Sequence, residues 1–404
     1  MIAIPTWYCR PAARRWRAQA PETPALKTPA PETAAPAFHA ELPGYRPTEL
    51  TELPALAAEL GVGRVLVKDE STRMGLGAFK VLGASWAIAR LLTSQGGAAR
   101  GGVGRDRDGQ LGELRRAAAA QPVELVTATD GNHGRAVAWV ARLLGLDACV
   151  FVPDVVPERA RAAIAAEGAT VTVAGGSYDE AVVQAAAHAG HGQPGRGRPG
   201  RGQQGAGRGR LLVQDTAWPG YESVPRWIVE GYGTLLAELD LQFAGRELAG
   251  PDLVSVPVGV GSLAQAVVTH YRRGGVAPAV LAVEPETAAG VLASLHAEAR
   301  RSVPTAGTVM AGLNCGTPSS LAWPVLAGGL DAAIAVADQQ ATEAGADLGR
   351  LGVRSGPSGA ASLAGVRAAL TGPGAGARRD GLGVTTSSVV LLLSTEGTGR
   401  NGGT

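Results

Sequence analysis

From residue 42 onward, short β-branched apolar runs alternate with longer Ala/Leu-rich stretches whose apolar positions recur with helical period. The runs at 65–69, 123–129, 148–152, 169–173, 211–214, 253–258, 279–283 and 388–393 predict buried strands. The stretches near 79–92, 134–145, 157–167, 177–189, 231–240, 262–272 and 359–370 predict helices. Such alternation predicts an α/β protein with parallel-rich sheets flanked by helices, because parallel strands need crossovers and the crossovers cover the sheet faces.

Three stretches break the rhythm. Residues 1–37 are rich in Pro, Ala and charge and show no apolar period, which predicts a disordered tail. Residues 95–110 are rich in Gly, Arg and Asp, and 190–210 are low in complexity with five arginines; both predict flexible surface insertions. No aromatic residue interleaves the arginines of 190–210 to stack on bases, so an RNA-binding tether is the weaker reading of it.

At 404 residues the chain exceeds one ordinary hydrophobic core, and two lobes are expected. No window approaches the roughly 18 uninterrupted apolar residues of a membrane span, and the first residues hold no apolar run of secretory length. Cys9, Cys149 and Cys315 lie far apart without ligand spacing, so neither a disulfide framework nor a metal site is expected and a reducing cytoplasm fits. The net charge of +2 gives no steering toward nucleic acid or membrane.

One compositional detail changes the picture. Of 37 basic residues only Lys27, Lys68 and Lys80 are lysines. Arginine serves most surface charges, but an imine to an aldehyde needs a primary amine that can lose its proton. The segment Val67-Lys68-Asp69-Glu70-Ser71-Thr72-Arg73-Met74-Gly75-Leu76-Gly77-Ala78-Phe79-Lys80 joins a strand to a helix through a Gly-containing turn, which places Lys80 in the first helical turn. The positive helix end and apolar Phe79 would help keep its amine neutral. On this segment alone, a solvent-facing lysine on an amphipathic helix is an equal reading.

That segment resembles the Schiff-base lysine segment of the fold type II pyridoxal-phosphate enzymes, the group of threonine dehydratase, cysteine synthase and diaminopropionate ammonia-lyase. Further segments in the same order extend the resemblance over most of residues 38–397. In Thr127-Ala128-Thr129-Asp130-Gly131-Asn132-His133-Gly134-Arg135 a strand ends in a tight turn into a helix. The resemblance implies that Asn132 meets the phenolic oxygen of the cofactor and that Gly131 and His133 belong to the turn that holds the substrate carboxylate. Asp130, where dehydratases carry a small hydroxyl residue, is similar to the ammonia-lyases; from local sequence alone it could instead cap the helix. Gln214-Asp215-Thr216-Ala217-Trp218 also resembles the ammonia-lyases, with Pro219 departing from the family's Glu. Read locally, Asp215 is a solvated turn residue.

The turn Gly259-Val260-Gly261-Ser262 before a helix at Leu263 resembles the phosphate loop of the family, where backbone amides and a helix N-terminus cradle the phosphate. Ser394 or Thr395, at the end of the last strand, would meet the pyridine nitrogen. Met310-Ala311-Gly312-Leu313-Asn314-Cys315-Gly316-Thr317-Pro318-Ser319 is very similar to a signature of the ammonia-lyases, in which Cys315 reads as a packed small hydrophobe. Ser355-Gly356-Pro357-Ser358-Gly359 resembles the family's strand-to-helix turn.

The resemblance implies a two-lobed fold, with a large lobe from 38–92 and 216–404 and a smaller lobe from 93–215 that carries the insertion. It implies a homodimer, pyridoxal 5'-phosphate as cofactor and a small amino acid as substrate. It further implies β-elimination of 2,3-diaminopropionate to pyruvate and ammonia, with Lys80, Asp130 and Asp215 as the catalytic groups. A serine or threonine dehydratase shares the cofactor chemistry and is the rival reading. A catalytically idle or RNA-binding protein is the alternative of another class.

Overall fold

The computed structural model describes residues 6–18, 33–95, 109–191, 209–274 and 277–398. The two insertions expected at 95–110 and 190–210 fall mostly outside these residues. Eleven strands are described: β1 (Trp7–Cys9), β2 (Leu50–Glu52), β3 (Arg64–Asp69), β4 (Val123–Ala128), β5 (Asp147–Pro153), β6 (Thr170–Ala174), β7 (Gly209–Leu212), β8 (Leu253–Pro257), β9 (Ala279–Pro285), β10 (Ala332–Val336) and β11 (Val389–Ser394). They form a seven-stranded sheet in the order β1-β10-β9-β8-β11-β3-β2 and a four-stranded sheet in the order β6-β5-β4-β7. Only the edge strands β1 and β2 run antiparallel to their neighbours. Among the described residues no helix is long and apolar enough to cross a membrane.

The chain divides into two compact units. One holds the seven-stranded sheet and takes its described residues from 1–29, 47–79 and 235–404. Its central strands are apolar at successive positions because helices cover both faces. The helix Pro357–Leu370 lies so close to β9 that a Cβ on Gly365 would stand 2.3 Å from Val283 Cγ2.

The other unit holds the four-stranded sheet and takes its described residues from 30–46 and 80–234. Its borders differ from the expected 93–215, because the helices Lys80–Gln95 and Ser223–Ala244 touch backbone to backbone. A Cβ on Gly231 would lie 2.4 Å from the Leu82 carbonyl oxygen, and one on Gly83 would lie 2.6 Å from Tyr232 Cε1.

The tail expected to be disordered over 1–37 is corrected at both ends. Trp7–Cys9 completes the seven-stranded sheet against β10, Arg14 Nε reaches Asp331 Oδ1 at 2.9 Å, and the Trp16 ring covers Gly328 and Gly329. Ala34–Ala40 forms a helix that buries Phe38 and His39. Local composition registered the prolines and charges of this stretch. The residues that order its first part lie more than 300 positions away, and His39 meets Leu82 and Thr234, 43 and 195 positions away, all beyond the reach of a sequence window.

Candidate active site

The described lysines have separate fates. Lys68 is fully buried in the large-sheet unit, where its Nζ meets Glu238 Oε2 at 2.7 Å and Gln242 Oε1 at 3.0 Å. Arg73 joins it by pairing with Glu70 and Glu238, so two cations face two anions with every side chain at most 4% exposed. This amine is committed to a closed ion network. Lys80, half-buried, opens the helix Lys80–Gln95, and its Nζ lies 2.6 Å from Asp215 Oδ2. The amine expected to be kept neutral thus faces a carboxylate.

Strands β4 and β7 are parallel neighbours, with Val126 level with Leu212. Both leave the sheet at the same end, which brings Asp130 and Asp215 close enough to act on one another. Gln214 ties the two strand ends together: its Oε1 accepts from the Ala128 amide at 2.9 Å and from Thr127 Oγ1 at 3.2 Å. Thr129, not Asp130, makes the cap. Its Oγ1 accepts from the amides of Gly131 at 2.9 Å and Gly134 at 3.0 Å, at the start of the helix Asn132–Leu144. Gly134 is obligatory, since a Cβ there would lie 2.3 Å from Thr129 Cγ2.

The departure at Pro219 fits its place. Tyr221 N donates to Trp218 O at 2.8 Å, which closes a tight turn with Pro219 second and Gly220, at φ +89°, third. Proline favours the second position of such a turn and glycine supplies the positive φ. Tyr221 is thereby turned back, and its hydroxyl accepts from Gln214 N at 2.8 Å and donates to Leu212 O at 2.9 Å.

The electrostatics push the two aspartates apart. Burial raises the Asp215 carboxyl, but the Lys80 ammonium, His133 and hydrogen bonds from Lys80 and Tyr178 outweigh it and hold the group well below the usual carboxylate range. Asp130 moves the other way: loss of hydration and then the negative charge of Asp215 raise it well above its ordinary value, which Lys80 only partly offsets. His133 is buried, and burial lowers its pKa. Its Nε2 lies 2.7 Å from the Val213 carbonyl oxygen, which can only accept, so the proton of the neutral ring is on Nε2. Its Nδ1 is buried and meets no hydrogen-bond partner among the described residues.

In the large-sheet unit, β8 runs through Val258 to Gly261 into the helix Ser262–Tyr271. Gly261 stands at φ +99°, and a Cβ on it would lie 2.9 Å from Leu326 Cδ1. Among the described residues the amides of Gly259, Val260 and Gly261 donate to no protein group. The first-turn amides of Ser262 and Leu263 lack intrahelical acceptors. A row of unspent donors ahead of a helix N-terminus fits a phosphate group.

The stretch 310–319 packs beneath this loop. Ser319 N donates to Val260 O at 2.8 Å, and a Cβ on Gly259 would meet Gly312 O at 3.1 Å and Cys315 Sγ at 3.2 Å. Cys315 is buried as a packing residue. The register of β11 with β8, Leu392 beside Ser255, places Ser394 level with Pro257. Ser394 Oγ donates to Ser355 Oγ at 2.8 Å, and the carbonyl oxygen of buried Thr395 accepts from Phe79 N at 3.3 Å.

Lys80, Asp130, Gly131, Asn132, His133 and Asp215 thus gather in one unit, while Gly259 to Leu263, Ser394 and Thr395 share one end of the sheet in the other. Sequence motifs pointed to neither Tyr178, whose hydroxyl lies 2.9 Å from Asp215 Oδ1, nor the bridging role of Gln214. Elsewhere Glu124, Cys149 and His188 each bring one possible metal-ligand atom within 4.8 Å of the others, although far apart in sequence. Glu124 Oε2 is already paired there with Arg210 Nε at 3.0 Å.

Comparison with known proteins shows the family. Residues 41–379 match the model of the family described as pyridoxal-phosphate dependent enzyme. Diaminopropionate ammonia-lyase of Escherichia coli strain K12 is 35% identical over 370 residues, which covers 89% of this chain and 86% of the relative. The crystal structure of the Escherichia coli enzyme in complex with D-serine superposes with a TM-score of 0.81 at 31% identity, covering 98% of this chain and 94% of that one. Its complex with an aminoacrylate-PLP azomethine reaction intermediate superposes with a TM-score of 0.76 at 32% identity, covering 95% and 92%. The chain belongs to the fold type II pyridoxal-phosphate dependent enzymes, in the company of the diaminopropionate ammonia-lyases.

Proposed function

We propose that this protein is a pyridoxal-phosphate dependent ammonia-lyase that converts 2,3-diaminopropionate to pyruvate and two molecules of ammonia. The observation that carries the reading is the pair of aspartates beside Lys80, one raised and one lowered in pKa. Titratable neighbours pushed in opposite directions are a mark of divided acid and base duties. A substrate with two ammonium groups is recognised by carboxylates better than one with a hydroxyl.

Bound pyridoxal phosphate supplies the electron sink for the α-carbanion. The residues divide the remaining work. The amides from Gly259 to Leu263 would hold the phosphate, Asn132 the phenolic oxygen, and Ser394 or Thr395 the pyridine nitrogen; a neutral partner there would restrain the sink and favour elimination. Gly131 and His133 lie in the turn that seats the substrate carboxylate. Lys80 carries the cofactor and takes the α-proton of the L-isomer, while Asp130 takes that of the D-isomer from the opposite face. Asp215, a carboxylate, would recognise the β-ammonium, which leaves as neutral ammonia, or would carry to a neutral leaving amine the proton that Lys80 has taken up. A homodimer acting in the cytoplasm completes the proposal.

The test is product stoichiometry on the purified, pyridoxal-phosphate-loaded protein. Diaminopropionate should give two ammonia per pyruvate. Turnover of serine or threonine without turnover of diaminopropionate would make the protein a dehydratase. No product from any of the three would leave a catalytically idle fold.

A further inference from the structure

A chain of hydrogen bonds runs from the backbone of β4 to Asp215, and its polarity can be read outward from its first link. The Ala128 amide can only donate, so the Gln214 atom 2.9 Å from it is the oxygen Oε1. That fixes Nε2, a donor, on the other side, where it lies 2.8 Å from the Tyr178 hydroxyl and 3.3 Å from Asp215 Oδ1. The hydroxyl oxygen accepts from Nε2, so its own hydrogen is left to point at Asp215 Oδ1, 2.9 Å away. Tyr178 is buried, and the helix it opens, Tyr178–His188, is held by a capping box between Ser177 and Glu180. The Tyr221 hydroxyl, bonded to Gln214 N and Leu212 O, holds the backbone from which Gln214 projects.

We propose that Tyr178 is a positioning residue for Asp215: by filling Oδ1 with a donated hydrogen bond, it confines any proton that Asp215 accepts to Oδ2, the oxygen that faces Lys80. Oδ1 receives hydrogens from Tyr178 and Gln214, which engage its two lone pairs. Oδ2 is the atom 2.6 Å from Lys80 Nζ. The relay therefore turns a symmetric carboxylate into a directional one, with its exchangeable proton site on the lysine side. This inference rests on the proposed function only in giving that site the departing amine as its partner.

The charged or titratable groups that act on Asp215 include Lys80, His133, Asp130, Tyr178, Tyr221 and Tyr232. Lys80 lowers the carboxyl most among them, so its removal brings the titration within reach. The measurement is a carbon-13 titration of the Asp215 carboxyl in the full chain without cofactor, Lys80→Ala against Lys80→Ala with Tyr178→Phe. Loss of one hydrogen bond to the charged form should raise the midpoint by about one pH unit. A change below about 0.3 unit, which is within what a purely structural repacking produces, overturns the proposal.

Should the Phe variant not fold, 3-fluorotyrosine in the Lys80→Ala chain keeps the question open to measurement. Its stronger donor should lower the midpoint, and an unchanged or raised midpoint overturns the proposal. The titration needs no substrate, so its failure is separate from a failure of the ammonia assay.

Discussion

Gly261→Ala tests the proposed phosphate loop from first principles. At φ +99° an L-residue meets its own backbone, and a Cβ would also stand 2.9 Å from Leu326 Cδ1 and 3.2 Å from Ala322 Cβ. The conformational part costs about 1–2 kcal/mol and overpacking typically about 1–3 kcal/mol, so the strain totals roughly 2–5 kcal/mol. Thermodynamics allows this strain to emerge in two ways. If the loop keeps its shape, the fold loses the whole amount. If the loop relaxes, the amides of Gly259 to Gly261 lose the arrangement proposed to hold the phosphate. Cofactor affinity then falls by about 30-fold to 4,000-fold, since 1.4 kcal/mol is tenfold. Urea unfolding at saturating pyridoxal phosphate, together with a cofactor titration followed by tryptophan fluorescence, captures both. A loss of less than about 0.5 kcal/mol in the two together would refute the reasoning, because an added Cβ in a relaxed, roomy site has an effect of that size.

Two further outcomes follow from the same geometry. Asp130→Asn should lower turnover of the D-isomer by at least about a hundredfold, the usual reach of a general base, while the L-isomer changes little; equal losses in steady-state assays with each isomer would reject the division of roles between Asp130 and Lys80. Glu238→Gln removes one anion from the closed network with Lys68, Arg73 and Glu70. It should destabilise the fold by about 3–5 kcal/mol, the usual result of stranding a buried charge, and a loss under about 1 kcal/mol in urea would show that water or Glu70 can take over.

Much of the architecture was legible locally. All eight strands expected from apolar runs are present within one or two residues, for example Arg64–Asp69 for 65–69 and Val389–Ser394 for 388–393. Those missed are informative. Trp7–Cys9 and Leu50–Glu52 are three-residue edges whose pairing partners are distant, and Ala332–Val336 reads AAIAV, which helix and strand accept alike. The helix Gly109–Ala120 was hidden because its start lies in the Gly/Arg-rich stretch.

The site divides along the same line. Residue types and their order along the chain determined the parallel-rich α/β class, the Gly-rich turn ahead of the helix at Ser262, and the short list of amines and carboxylates able to do chemistry. Those properties depend on near neighbours, which a window of sequence contains. Tertiary structure alone decided that Lys68 is neutralised by Glu238 while Lys80 meets Asp215, and that Thr129 caps the helix and leaves Asp130 uncommitted. It alone oriented Asp215 through Tyr178, 37 positions away. A pKa or a proton's location is set by whatever lies within a few ångströms, and only folding determines which distant residues those are.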